Sequence, residues 1–233
     1  ALSATPAIRR LHETATRLLD GRSLSSEHLA ELRRLTSAVT LSELGFQEHW
    51  LLQPERVPSD LEEEDVLHPF LRGKVTYLHL SEGSAFTLGI FMIPQHAQIP
   101  LHDHPNMTVI SRLLFGSMRV RAFDPVVPSA NSSAKDPSRI ASEEGGKRRR
   151  LLGAAQAVLR PMMAAFQSSS TQPLTARLKE DKVVQASTDT LLVLPDCCNI
   201  HEFTAESPCA VLDLLTPRYS VAEGRDCTYY EVV

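Results

Sequence analysis

The chain lacks the features that would commit it to nucleic acid, to a membrane or to an oxidising compartment. Its 24 Lys and Arg residues face 28 Asp and Glu residues, a formal net charge of −4, which gives no electrostatic case for binding nucleic acid or an anionic membrane. No apolar run approaches the roughly 18 residues of a membrane span, and we expect no signal peptide. The four cysteines include no CxxC pair that would indicate structural zinc. We therefore expect reduced thiols and a cytoplasmic location, with the nucleus as a second compartment.

Hydrophobic residues are plentiful, at 42% of 233 positions, which suffices for an ordinary core. Their spacing divides the chain in two. Residues 1–60 carry apolar side chains at helical intervals, which predicts a helical N-terminal segment packed on the remainder. Residues 70–233 change to a period of two, with glycine and proline between short runs, which predicts a mainly β fold of the jelly-roll barrel type.

One long stretch interrupts the strand pattern. Residues 129–180 contain a basic run at 147–150 and a polar tract at 168–172. Because a structureless loop of this length is unusual inside a compact domain, we interpret 129–180 as an insertion that contains a helix near 151–166 or is partly mobile. Outside it, strands are predicted over residues 75–80, 86–93, 99–104, 108–115, 117–123, 183–186, 190–194, 200–204 and 210–215.

Three histidines carry the strongest chemical signal. His102 and His104 stand two residues apart in a predicted strand, where residues i and i+2 point to the same face. His201, on a distant predicted strand, would supply a third imidazole. Histidines also serve as hydrogen-bonded core residues, so the pair alone is a weak signal. Together, the three predict a metal site with open coordination positions.

The surrounding residues resemble the two motifs of the cupin superfamily. In cupins, the histidine pair is followed by an acidic ligand and then by a glycine; here Val109 occupies the acidic position and Gly116 the glycine position. In the second motif, a cysteine replaces the usual glycine between Pro195 and His201. Three neutral imidazoles without a carboxylate leave the full 2+ charge on a metal, which suits a substrate that donates an anion such as a thiolate.

A closer resemblance is to the thiol dioxygenases, which include cysteamine (2-aminoethanethiol) dioxygenase and the plant cysteine oxidases. Several motifs occur in the family's order across about residues 70–125 and 183–233, with weaker agreement in the N-terminal helices. One departure is Asn106, where the family usually has glycine; asparagine tolerates a positive φ better than most residues. The motifs that carry the resemblance are residues 99–105, 107–109, 114–117, 199–201, 212–215, 217–219 and 224–230.

The resemblance implies a cupin-type double-stranded β-helix that holds non-haem Fe(II) through His102, His104 and His201. It implies that both atoms of O₂ are added to a thiol, giving a sulfinic acid. The implied substrates are cysteamine and the exposed N-terminal cysteine of proteins, whose oxidation feeds an oxygen-dependent degradation route. We expect a monomer whose partners are O₂ and one of these thiols.

Asp213 is a further candidate, because it stands inside the apolar run 210–215 and a buried carboxylate needs a partner. It would bind the amine that both candidate substrates carry two carbons from sulfur, directly or through water. Alternatively, it is a structural carboxylate that caps a loop or orients a ligand histidine. The family has an aspartate at this position, which favours the first interpretation.

Cys227 and Tyr229 share a face if the segment is extended. Some thiol dioxygenases form a cysteine–tyrosine thioether close to the metal, so the resemblance implies that this pair could be crosslinked. A reduced thiol beside a packed tyrosine is an equally good interpretation.

Two rivals to the dioxygenase hypothesis remain open at this point. One is a cupin isomerase or hydrolase that uses zinc or manganese. The other is a non-catalytic cupin that binds a ligand or a partner and keeps its histidines as vestiges.

Overall fold

The computed structural model describes residues 5–20, 24–46, 74–126, 156–161, 173–187 and 189–233. Within these residues, the chain forms two α-helices, α1 (Ala7–Leu19) and α2 (Ser26–Ser37). The same residues form eleven strands: β1 (Thr76–Glu82), β2 (Thr87–Ile93), β3 (Gln98–His102), β4 (Thr108–Phe115), β5 (Ser117–Pro125), β6 (Gln156–Pro161), β7 (Leu174–Gln185), β8 (Leu191–Val193), β9 (Ile200–Ala205), β10 (Cys209–Thr216) and β11 (Tyr230–Val232).

The strands form two antiparallel sheets. One has five strands in the order β1-β2-β10-β4-β8, and the other has six in the order β11-β6-β7-β5-β9-β3. From β2 to β5, and again from β7 to β10, consecutive strands alternate between the sheets. Side chains of both sheets meet in a shared apolar core, where Val211 and Leu113 pack with Met118 and Phe203. The predicted mainly β, double-stranded β-helix fold is confirmed.

The two helices cover the outer face of the five-stranded sheet. Leu11 of α1 and Leu32 of α2 are fully buried in one cluster with Leu88 and Leu212 of the sheet. The Glu43 carboxylate accepts the backbone N–H groups of the first two residues of α1, at 3.3 and 2.7 Å, which satisfies donors that a helix leaves open at its start. The helical segment is therefore attached to the barrel by both packing and capping.

Neither helix in the described part of the chain is long and apolar enough to cross a membrane. The predicted boundary between the helical segment and the barrel, between residues 60 and 70, lies outside the described residues and stays a prediction.

The predicted insertion at 129–180 needs correction. Its later part belongs to the six-stranded sheet, because β6 pairs with β7 and β11, and β7 also pairs with β5. A helix over 151–166 is wrong for residues 156–161, which form β6. An apolar run alone does not distinguish a helix from a strand, and here the neighbouring strands supply the backbone partners. The basic run at 147–150 lies outside the described residues.

Two sharp turns follow from residues that tolerate a positive φ. Asn106 has φ 56°, as expected for asparagine at a position where the family has glycine. Gly116 has φ 77° and joins β4 to β5, and a Cβ there would overlap the Pro208 carbonyl oxygen. The turn therefore needs glycine both for its backbone conformation and for the space beside it.

We expect Gly116→Ala to lower the free energy of unfolding by roughly 2–5 kcal/mol. The left-handed conformation contributes about 1–2 kcal/mol of this, and the overpacking against Pro208 about 1–3 kcal/mol. Urea denaturation measures the loss. Gly45→Ala is the matched control, because Gly45 has φ 84° and a Cβ added there would meet nothing within 4 Å, so only the conformational part should appear. Equal losses in the two variants would contradict the steric argument.

Candidate metal centre

The structure brings the three predicted histidines together. His102 is the last residue of β3, and it pairs directly across the sheet with His201 of β9. One ring nitrogen from each of His102, His104 and His201 lies within 4.8 Å of the other two. All three residues are less than a tenth exposed, so the cluster is a buried group of three imidazoles.

His104 reaches the cluster by a route that the strand argument did not predict. We expected both histidines on one strand, but β3 ends at His102 and His104 lies in the following loop. Asn199 holds that loop: its Oδ1 accepts the His104 N–H at 2.9 Å, and its Nδ2 donates to the His104 carbonyl at 2.9 Å. Tertiary hydrogen bonds, rather than strand alternation, aim this imidazole.

Each imidazole has a partner at its Nδ1 atom. His102 Nδ1 lies 2.8 Å from the Pro100 carbonyl oxygen, and His201 Nδ1 lies 3.3 Å from the Cys198 carbonyl oxygen. A carbonyl only accepts, so both Nδ1 atoms carry the proton. A neutral imidazole protonated at Nδ1 offers its Nε2 lone pair to a metal.

The Tyr219 hydroxyl provides the partner for the third imidazole, at 2.6 Å from His104 Nδ1. The same hydroxyl donates to the Asp103 carbonyl oxygen at 3.4 Å. We therefore assign it as the acceptor of the His104 Nδ1–H, which gives all three rings the same tautomer.

Burial keeps these imidazoles neutral. It lowers the pKa of His201 to about 3, with the neighbouring His102 adding to the effect. Burial also lowers the pKa of His102 and of His104, and for His104 the two other histidines contribute as well. Neutral imidazoles are the form that binds metals, so the donor set fits a divalent cation.

Val109, at the position where many cupins have an acidic ligand, has apolar surroundings. Val109 is buried in a cluster with Met107, Val193 and Leu215. Among the residues that the structure describes, the group of possible ligands around the three histidines contains no carboxylate. A metal held here would keep its full charge and have coordination positions free for substrates.

Asp213 lies in the middle of β10, opposite Gly89 of β2 and Ser111 of β4. It is 4% exposed, and its Oδ1 atom has no hydrogen-bond partner among the described residues. Burial raises the pKa of this carboxyl to about 7. Burial raises the pKa of Tyr77, and the charge of Asp213 adds to this rise, so the carboxyl lies near the Tyr77 phenol.

Asp103, between His102 and His104, has a structural role. Its Oδ1 accepts the Thr228 N–H at 2.8 Å, and its Oδ2 accepts the Tyr230 hydroxyl at 2.8 Å. These bonds hold the C-terminal segment beside the cluster. Tyr229 forms a backbone bridge with His102, and their rings lie 6.1 Å apart.

Cys227 lies between two tyrosine hydroxyls. Its thiol interacts with both Tyr219 and Tyr229, while burial raises its pKa to about 11. None of the four cysteines, all of which the structure describes, forms a disulfide. The Cys227–Tyr229 thioether remains a prediction.

A family model covers most of this architecture. The PCO_ADO model matches residues 36–233, a range that includes the barrel, the three histidines and the C-terminal segment. The chain belongs to the PCO_ADO family.

Curated relatives carry names that agree with this family. Plant cysteine oxidase 1 of Arabidopsis thaliana is 36% identical over 157 residues, which are 67% of this chain and 41% of the relative. The 2-aminoethanethiol dioxygenase of Homo sapiens is 32% identical over 160 residues, 68% of this chain and 53% of the relative. The chain thus spans about two fifths to one half of these relatives' length.

Among solved structures, an RmlC-like cupin from Shewanella frigidimarina aligns with a TM-score of 0.35 and 13% identity, over 63% of this chain and 78% of that chain. KdgF from Halomonas sp. aligns with a TM-score of 0.36 and 12% identity, over 72% and 92% of the two chains.

Two cavities border the centre of this PCO_ADO protein. The larger, about 720 Å³, is lined by Tyr77, Phe91 and Tyr219, with charged residues such as Arg218 and Glu223. The smaller, about 220 Å³, reaches His201 itself. Tyr219, which lines the larger cavity, also contacts His104, and His201 forms part of the wall of the smaller cavity.

Asn199 and Tyr219 are the functional residues that sequence reasoning missed. Both stand in motifs of the PCO_ADO resemblance, at 199–201 and 217–219, but nothing in a single sequence pairs them with His104. Their partners lie 95 and 115 positions away along the chain.

We expect Tyr219→Phe to weaken metal binding by about 10–100-fold, the usual effect of losing an outer-shell partner of a ligand histidine. The phenyl ring keeps the packing but leaves the His104 Nδ1–H without its acceptor. Titration with Co²⁺ against a competing chelator measures the affinity. Tyr230→Phe is the control, because that hydroxyl bonds the Asp103 carboxylate rather than an imidazole. Unchanged affinity in Tyr219→Phe would contradict the assigned hydrogen bond.

Proposed function

We propose that this chain is an Fe(II)-dependent dioxygenase that converts the thiol of an aminothiol into a sulfinic acid, RSH + O₂ → RSO₂H. The observation that carries the proposal is the buried cluster of His102, His104 and His201, which includes no carboxylate from the described part of the chain. The names of the relatives, a cysteine oxidase and a 2-aminoethanethiol dioxygenase, support the same chemistry. When bound, ferrous iron would supply electrons for the reduction of O₂ and lower the pKa of the substrate thiol.

The three histidines would hold the iron through Nε2, because their Nδ1 protons bond Pro100, Cys198 and Tyr219. Neutral ligands leave a net positive site, which favours the substrate as a thiolate. The apolar cluster around Val109 would exclude water from that side, which strengthens the attraction between opposite charges.

Asp213 would bind the substrate amine. Its Oδ1 accepts no hydrogen bond from the described residues, and a buried acceptor without a donor is unfavourable. An ammonium group would supply both the hydrogen bond and the opposite charge. The alternative, an orienting role towards a ligand histidine, finds no support in the Nδ1 contacts, which go to two carbonyls and a phenol.

If the metal binds the substrate sulfur and Asp213 binds its amine, the substrate is a thiol with an amine a short distance away. The cavity of about 220 Å³ beside His201 has room for a free aminothiol such as cysteamine. The cavity of about 720 Å³ beside Tyr219 has room for part of a peptide, which supports an N-terminal cysteine as substrate. A cytoplasmic location, a monomeric state and a role in oxygen sensing stay predictions from the sequence.

We expect the purified, iron-loaded protein to consume O₂ with cysteamine or a Cys-initiated peptide, and the product to gain two oxygen atoms by mass spectrometry. His102→Ala and His201→Ala should lose both iron and activity, because each removes one of three ligands. His79→Ala, at an exposed position of β1, is the matched control and should retain both. Full activity in His102→Ala would refute the ligand assignment, and a metal-loaded but O₂-inactive protein would favour an isomerase, a hydrolase or a binding protein.

We expect Asp213→Asn to raise KM for cysteamine by about 10–100-fold, since a hydrogen bond to a charged group is worth roughly 1.5–3 kcal/mol. A thiol of equal length without the amine should be unaffected and serves as the control substrate.

The pH dependence provides a second readout of Asp213. Its pKa is raised to about 7 by burial, so the carboxylate fraction, and with it the affinity for the amine, should increase from pH 6 to 8. The Asp213→Asn variant should lack this increase, while ionisation of the substrate thiol affects both proteins equally. Identical pH profiles of KM for the two proteins would exclude amine binding by Asp213.

A further inference from the structure

A pair of adjacent thiols lies behind one of the ligand histidines. Leu194 and Cys197 exchange two backbone hydrogen bonds, of 2.9 and 3.3 Å, which close a tight turn after β8. The next residue, Cys198, has φ 59°. Neighbouring side chains of an extended chain point to opposite sides, but this left-handed residue turns both thiols to one side. The Cys197 and Cys198 sulfur atoms lie 3.7 Å apart.

The choice of cysteine at this position is itself informative. A left-handed conformation is strained for cysteine, and glycine or asparagine would adopt it more easily. Strain of this kind is retained where the side chain has a use. The position corresponds to the region of the second cupin motif in which glycine is usual, so this chain has a thiol where the fold needs none.

A carboxylate completes the group. Asp124, at the end of β5, accepts the Cys198 N–H through Oδ1 at 2.6 Å, and the Lys179 ammonium lies 3.5 Å from Oδ2. One carboxylate oxygen and the two sulfur atoms all lie within 4.8 Å of one another. The cluster therefore presents two sulfur donors and one oxygen donor around a single point.

The spacing fits a tetrahedral metal better than a disulfide. With metal–sulfur bonds of about 2.3 Å and tetrahedral angles, two thiolates on one zinc ion stand about 3.8 Å apart, close to the observed 3.7 Å. A disulfide requires about 2.05 Å. We propose that Asp124, Cys197 and Cys198 form a second metal site, which binds a thiophilic divalent cation such as Zn²⁺.

The donor chemistry separates this site from the histidine cluster. Thiolates select softer cations than imidazoles do, and binding releases both thiol protons to solvent as the two metal–sulfur bonds form. Access is available, because Cys197 is partly exposed and Cys198 lines the cavity of about 220 Å³. A fourth ligand from solvent would complete the tetrahedron.

The site is one hydrogen bond away from the proposed iron centre, since the Cys198 carbonyl oxygen accepts from His201 Nδ1 at 3.3 Å. A bound cation would therefore stiffen the segment 194–201 that carries His201. This proposal does not depend on the dioxygenase activity, because it requires only the turn and the end of β5.

The test uses the full chain with Fe(II) in the histidine cluster, under anaerobic conditions, titrated with Cd²⁺ as a thiophilic probe. We expect one further equivalent to bind, a sulfur-to-cadmium absorption band in the ultraviolet, and the release of two protons. The band should be lost in Cys197→Ser and Cys198→Ser and retained in Cys209→Ser, a buried thiol of β10. Cd²⁺ that merely displaces iron from the imidazoles would give no sulfur band.

Asp124→Asn keeps an acceptor for the Cys198 N–H but removes the anionic ligand, so it should weaken Cd²⁺ binding at least about tenfold. If the serine variants fail to fold, the wild-type protein provides the test. Zn²⁺ should protect Cys197 from alkylation and slow amide hydrogen exchange over residues 194–201. Absence of the band, absence of this protection, or a band that survives in both serine variants would overturn the proposal. Formation of a disulfide, seen as a loss of two hydrogens without metal uptake, would overturn it as well.

Discussion

Three imidazoles buried within one small volume must all stay neutral and must all present the same nitrogen inward. Burial supplies the first condition by lowering their pKa values. The second requires an acceptor behind every ring, because an unpartnered Nδ1–H would be unfavourable in a buried site. The acceptors are the carbonyls of Pro100 and Cys198 and the hydroxyl of Tyr219. The local backbone around the cluster is arranged to provide them.

The barrel brings the three histidines together from separate parts of the chain. The β3–β9 register sets His102 opposite His201, and Asn199 holds the loop that carries His104 through two hydrogen bonds. The Asp103 carboxylate then holds the C-terminal segment by accepting hydrogen bonds from Thr228 and Tyr230. The positions of the site residues therefore depend on contacts between several segments of the two-sheet fold, and no single loop sets them.

The carboxyl groups of Asp213 and Asp124 differ in their surroundings, and we propose different roles for them. Among the described residues, one oxygen of the Asp213 carboxyl has no hydrogen-bond partner, and burial raises the pKa of this group to about 7. The Asp124 carboxylate has a backbone N–H and an ammonium as partners and lies beside two thiols. The first is the proposed partner of a substrate amine, whereas the second is a proposed ligand of a thiophilic cation.

The sequence by itself determined the fold class, the three histidines and the missing acidic ligand at Val109, because alternation of apolar residues and motif spacing are local properties. The predicted helix over 151–166 was wrong for residues 156–161, because a short apolar run does not show whether neighbouring strands are available to pair with it. The sequence pattern also placed His104 on a strand that ends at His102. Only the tertiary structure decided what aims His104, which groups surround Asp213 and that Cys197 and Cys198 face one point. These depend on contacts such as Asn199 to His104, 95 positions apart, and on backbone conformations that residue types permit but do not dictate.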